Sequence, residues 1–219
     1  MLFVNFKTYR EGSGLEAIKL VRLIEEVAAS CQVKIVPVLQ ATDLKEAVAI
    51  SKLEIWVQNV DLAGYGAHTG AILSEAVFED GAAGTFLNHS ERKLTSLSDL
   101  EKINQRALLV GLKTLIFAGN LEEMKNVCAF KPTYIAYEPA QFIGSTTTSV
   151  AREQPEIINQ AVEMAKVLAL PLIVGAGIKS AEDVRKSIEL GAAGVVVASD
   201  VVKAENPRQE LLDLVEGFK

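Results

Sequence analysis

Eight short, nearly continuous apolar runs recur along this chain at a steady spacing: LFVNFK (2–7), KIVPVL (34–39), EIWVQN (54–59), GTFLN (84–88), KTLIFAG (113–119), TYIAYE (133–138), PLIVGAG (171–177) and GVVVAS (194–199). Runs this apolar and this rich in β-branched residues read as strands covered on both faces, which belong to parallel sheets. Helical patterns separate them. In 14–30 the stripe is Ile18, Val21, Ile24, Val27 and Ala28, and in 155–170 it is Ile158, Ala161, Val162, Ala165 and Leu168. Start signals stand at Thr42-Asp43, Ser98-Asp99, Ser180 and Asn206-Pro207, and Gly81, Gly111 and Gly191 sit where helices should stop. Eight strand–helix units in 219 residues leave about 27 residues per unit, close to the minimum for a βα repeat. Right-handed crossovers allow an open doubly wound sheet or a closed (β/α)8 barrel, and the count of eight favours the barrel as one domain over residues 1–219. The length lies near the floor for that fold, so added loops should be few.

The formal net charge is −6, which argues against a nucleic-acid or membrane surface, since both call for basic patches. An anionic ligand must then be held by local donors. Cys31 and Cys128 belong to no CxxC or Cys/His cluster and read as two buried free thiols. The start MLFVNFKTYR lacks the layout of a signal peptide, and no apolar run approaches the roughly 20 residues of a membrane span. These features point to a soluble, cytoplasmic protein.

In such a barrel the chemistry sits at the C-terminal ends of the strands. Those ends carry Asn5 and Lys7, Asn88 and His89, Glu138, Gly175-Ala176-Gly177, and Ala198-Ser199. Taken singly, each has a plain explanation: a solvated lysine, a hydrogen-bonded core histidine, a carboxylate at a strand end, small residues in turns. Together they put a lysine, a histidine and a carboxylate on one mouth beside two small-residue corners. Backbone N–H groups at those corners can cradle a phosphate without a cationic side chain.

The set FVNFKTY (3–9), QNVD…GAHTG (58–70), LNHSERK (87–93), AYEPAQFIGS (136–145), GAGI (175–178) and GVVVASDVVKA (194–204) resembles the triosephosphate isomerase family, in its compact archaeal form. The resemblance implies the TIM-barrel fold and the interconversion of glyceraldehyde 3-phosphate and dihydroxyacetone phosphate through an enediolate, in glycolysis and gluconeogenesis. It implies Glu138 as the base and His89 as the neutral electrophile, with a helical turn after His89 aimed at the imidazole to disfavour its protonation. Lys7 would add fixed positive charge, and Asn5 would position substrate and Lys7. Glu91 would support them by pairing with Lys7 or Arg92. The phosphate would lie against main-chain groups near Ile143, Gly144, Gly177, Ala198 and Ser199. The segment Pro139 to Ser145 would be a lid that excludes water. No cofactor and no metal is implied. The family is oligomeric, a dimer or a tetramer, with the loop that carries His68 packed against a neighbouring subunit.

The chain departs from the family pattern at Ala140, where a second proline is usual, at Ser145-Thr146-Thr147-Thr148, where a Thr-Gly pair is usual, and in FAGN (117–120), which lacks a common cysteine. Two other readings compete. A metal-dependent sugar-phosphate epimerase would need several His and Asp at strand ends, where only His89 stands, and a Schiff-base aldolase commonly carries its lysine where this chain has Glu138. A barrel that had lost catalysis and served as a scaffold would show decay at Lys7, His89 or Glu138.

Overall fold

The computed structural model describes residues 1–139 and 153–219. Among them, eight parallel strands close into a barrel in chain order. The strands are β1 (Leu2–Asn5), β2 (Ile35–Leu39), β3 (Trp56–Val57), β4 (Gly84–Leu87), β5 (Lys113–Ala118), β6 (Tyr134–Tyr137), β7 (Leu172–Val174) and β8 (Gly194–Val197). Closure comes from β1, which pairs with β2 through Leu2↔Ile35 and with β8 through Leu2↔Val195.

Side chains alternate between two cores, as the strand period requires. Phe3, Val36, Val38, Trp56, Phe86, Leu115, Phe117, Ala136, Ile173 and Val196 fill the barrel interior. Their neighbours Leu2, Val4, Ile116 and Val195 point outward to meet helix residues such as Ile24, Ile103 and Ile158. Edge-to-face contacts tie the interior together, with ring centroids 5.1 Å apart for Phe3–Trp56 and 4.9 Å for Phe86–Phe117. Truncating one of these rings to alanine costs about 3–5 kcal/mol. Gly84 makes room for the largest of them, because a Cβ there would stand 2.5 Å from the Trp56 ring.

The run 54–59 forms a strand only over Trp56–Val57. The neighbouring strand gives the reason. Odd-numbered residues of β2 face β3, as the Gln58 N–H donating to the Leu39 carbonyl at 2.9 Å shows. Pro37, in the middle of β2, has no N–H to offer that ladder. Pairing between the two strands is confined to Val38↔Trp56 and Leu39↔Val57.

The helices follow the sequence signals in outline and depart from them in detail. Helices Leu15–Ser30 and Pro155–Val167 bury the predicted stripes, except that Ala28 is half-buried and Leu168 lies beyond its helix end, 46% exposed. Ser180 forms a capping box with Asp183, and Asn206 accepts from the Gln209 N–H. The helix Leu97–Val110 begins ahead of Ser98, capped by Ser96, whose hydroxyl accepts from the Asp99 N–H. Asp43 does not cap its own helix; its carboxylate accepts from the Gly14 N–H at 3.1 Å. Gly81, Gly111 and Gly191 adopt φ of 97°, 109° and 97° at helix ends, the left-handed conformation that glycine reaches without strain. Of the two thiols, Cys128 is buried, whereas Cys31 is only partly so.

Candidate active site

Lys7 lies two residues past β1 with φ of 47°, a conformation uncommon outside glycine. Its backbone is held at both ends. The N–H donates to Asn5 Oδ1 at 3.0 Å, and the carbonyl accepts from Gln58 Nε2 at 2.8 Å. Asn5 is itself buried. This double hold aims the ammonium across the mouth to Glu91, with Nζ 2.7 Å from Oε1. Arg92 turns away and pairs with Asp61 at 2.7 Å.

His89 follows β4 through Asn88, whose φ is 58°. The Asn88 carboxamide closes the loop from inside: Nδ2 donates to the Phe117 carbonyl at 2.9 Å and to Glu123 at 2.7 Å, and Oδ1 accepts from the Leu94 N–H at 3.0 Å. Glu123 also takes the Gly119 N–H at 2.7 Å and pairs with Lys93. The loop that carries His89 is thereby pinned to β5 and to the helix Leu121–Cys128.

The imidazole packs edge-on against Phe117, ring centroids 4.8 Å apart. A 3-10 turn, Ser90–Arg92, begins directly after it, and the Glu91 N–H donates to His89 Nδ1 at 3.2 Å. With Nδ1 accepting, a neutral ring must carry its proton on Nε2. Burial holds the imidazole pKa down at about 4; the nearby Glu91 opposes that shift, and Lys7 and Lys93 reinforce it. His89 is neutral through the physiological range.

Glu138 stands at the end of β6, 6% exposed, its N–H extending the ladder to the Ala118 carbonyl at 2.9 Å. Ser90 donates its hydroxyl to Oε2 at 3.3 Å, and His89 Nε2 lies 3.4 Å from the same oxygen. Burial pushes the carboxyl pKa up to about 8, against the pull of Lys7 and the Ser90 hydrogen bond. An acid raised by burial next to a base lowered by burial is a common arrangement at sites that move protons.

The other wall is built from small residues. A cavity of about 340 Å³ runs from Asn5, Lys7, His89 and Glu138 to Gly177, Lys179, Ala198, Ser199 and Asp200. Gly177 has φ of 72°, and Ser199 opens a four-residue helix, Ser199–Val202. The structure thus brings Asn5, Lys7, His89, Glu91, Glu138, Gly177, Ala198 and Ser199 around one cavity. Ile143 and Gly144, the rest of the expected lid Pro139 to Ser145 beyond its first residue, and the hinge Ser145–Thr148 lie outside the described residues. His68 is exposed on the loop after β3 and lines none of this cavity.

The roles of several residues of the site had no visible signal in the sequence, even where the residues themselves stand in the strand-end motifs. Asn88, Ser90 and Glu123 act through contacts 29 to 48 positions apart along the chain. Lys179 and Asp200 become neighbours only when the β7 and β8 loops meet. Among the described residues no group of three or more His, Cys, Asp or Glu is placed to hold a metal ion, and no helix is long and apolar enough to cross a membrane.

Comparison with known proteins gives a consistent result. A family model described as triosephosphate isomerase matches residues 1–217. The triosephosphate isomerase of Archaeoglobus fulgidus is 36% identical over 217 residues, covering 98% of this chain and 96% of that protein. Those of Methanocaldococcus jannaschii and Sulfurisphaera tokodaii are 34% and 38% identical, over 99% and 98% of this chain and 99% and 93% of theirs.

Proposed function

We propose the following division of labour for a chain that belongs to the triosephosphate isomerase family. The reaction interconverts glyceraldehyde 3-phosphate and dihydroxyacetone phosphate, a step of glycolysis. Glu138 removes a proton from the carbon beside the substrate carbonyl and returns it to the neighbouring carbon. His89 donates its Nε2–H to the oxygen on which negative charge develops. Being neutral, it keeps that proton more firmly than an imidazolium would, and it stabilises the enediolate by hydrogen bonding. Lys7, held by Asn5 and Gln58 and paired with Glu91, supplies a fixed positive charge. The phosphate rests at the small-residue wall of Gly177, Ala198 and Ser199, with Ile143 and Gly144 as its remaining contacts.

The observation that carries this reading is the 3.4 Å approach of His89 Nε2 to Glu138 Oε2, with Nδ1 occupied by the Glu91 N–H. A base and an electrophile so placed can reach adjacent atoms of a three-carbon substrate. A positioned general base contributes about 10²–10⁴-fold, and a preorganised donor to the developing oxyanion about 10²–10³-fold. A raised Glu138 pKa also suits the task, since a base works best with a pKa near the operating pH.

The test pairs Glu138→Gln with the native chain. The native protein should isomerise triose phosphate and, in deuterated water, incorporate deuterium at the carbon next to the carbonyl. Glu138→Gln should lose about 10³-fold or more in kcat while still binding inorganic phosphate. Equal loss of phosphate binding and of rate would show that Glu138 has been given the wrong role. The protein is further read as a cytoplasmic homo-oligomer, dimer or tetramer, which its sedimentation behaviour would test.

A further inference from the structure

The phosphate end of the cavity holds a feature that a cradle of backbone donors does not require. Asp200, in the first turn of the short helix after β8, lines the cavity beside Ser199, where a carboxylate would repel the phosphate of a triose phosphate. Opposite it stands Lys179, in the loop after β7 and lining the same cavity, its Nζ 3.7 Å from Asp200 Oδ1. The two side chains are 29% and 34% exposed.

The main chain at Lys179 is anchored. Its N–H donates to Asp183 Oδ2 at 3.2 Å, alongside the capping box that Ser180 and Asp183 form at the start of the helix Ala181–Glu189. The side chain leaves this anchor next to Gly177 and Ile178 and crosses to the β8 loop. At 3.7 Å the contact with Asp200 is an ion pair longer than a hydrogen bond, so it directs the ammonium without consuming its donors. A lysine ammonium is a compact point charge with three donors, well suited to a phosphate oxygen.

We propose that Lys179 is a substrate-binding residue that donates to the phosphate of the triose phosphate, and that Asp200 is the tether that keeps its ammonium at the cavity. This rests on the phosphate-ester reading of the cavity given above. Lys179 would contribute ground-state affinity, since the phosphate keeps its charge throughout the isomerisation. Its effect should fall on KM, not on kcat.

The experiment measures kcat, KM and competitive inhibition by inorganic phosphate for the native protein, Lys179→Met, Lys179→Arg, Asp200→Asn and the double variant Lys179→Met/Asp200→Asn. Lys179→Met should raise KM and the phosphate Ki together by about tenfold, with kcat within about twofold of native. Lys179→Arg should recover most of the affinity. The double variant separates donation from simple neutralisation of Asp200. Asp200→Asn alone is its reference: if Lys179 donates to phosphate, the double variant binds phosphate more weakly than Asp200→Asn, and equal Ki values for those two would overturn the proposal. An unchanged Ki in Lys179→Met would overturn it as well. Absence of isomerisation by the native protein would instead count against the reaction, and phosphate binding by the variants would still decide the role of Lys179.

Discussion

The two walls of the cavity are built on different principles. On the side of β1, β4 and β6, Lys7, His89 and Glu138 are largely buried side chains, each fixed by neighbours: Glu91 for the first, whose backbone is held by Asn5 and Gln58; the Glu91 N–H and Phe117 for the second; Ser90 for the third. On the side of β7 and β8 the wall includes the small residues Gly177, Ala198 and Ser199, and the charged groups there form a long, partly exposed pair. Where a proton must pass between atoms, the groups need desolvation to shift their pKa values and a tight frame to hold distances. Where a charge only has to be held, backbone dipoles and a tethered ammonium suffice. Changes on the first wall should therefore act on kcat, and changes on the second on KM.

The strongest way to challenge that contrast, after the loss of Glu138 itself, is His89→Ala. It should lower kcat by about 10²–10³-fold with a small change in KM. The barrel should keep its melting temperature within a few degrees, because the ring lies at the rim of the interior and not within it. A large fall in melting temperature with kcat preserved would return His89 to the class of core histidines.

A smaller effect should come from the brace behind His89. Glu123→Gln keeps an acceptor for the Asn88 carboxamide and removes the charge facing Lys93. Loosening of the loop should cost on the order of tenfold in kcat, with KM within about twofold. Glu123→Ala should be worse, and should also lower stability by about 1–3 kcal/mol, because the Asn88 Nδ2 and the Gly119 N–H both lose a charged partner. If both variants changed only stability, the brace would be structural and unconnected with the chemistry.

The mildest test concerns pH. Glu138 has a folded pKa of about 8 against an ordinary 4.5, so the folded state binds its proton more strongly. The stability linked to it is full below 4.5 and is lost as pH rises to 8. His89, lowered from 6.5 to about 4, acts in the opposite sense: its contribution is full above 6.5 and is lost as pH falls toward 4. Between 4.5 and 6.5 the two slopes offset each other, and above 6.5 only the Glu138 slope remains. Urea unfolding should show the native protein losing roughly 2 kcal/mol between pH 6.5 and 8, a fall that Glu138→Gln lacks. Parallel profiles for the two proteins would mean that the carboxyl is less desolvated than its 6% exposure implies.

Much of this molecule was written in its sequence in local terms. The spacing of eight apolar runs pointed to a parallel sheet with both faces covered, and their number favoured a closed barrel over an open doubly wound sheet. The strand ends carry the polar side chains that the barrel brings to one cavity, and Ser180, Asn206 and Gly111 mark helix ends, because caps act within a few residues of themselves. The partners of those groups depended on tertiary structure. Lys7 meets Glu91 84 positions away, Asp43 serves Gly14 instead of its own helix, Pro37 shortens a strand that is not its own, and Asn88 finds Glu123 on the helix that follows β5. Periodicity records which face of an element is apolar. Which polar atoms come to lie within 3 Å or so of each other is settled only when the barrel closes and sets the register of every strand against its neighbours.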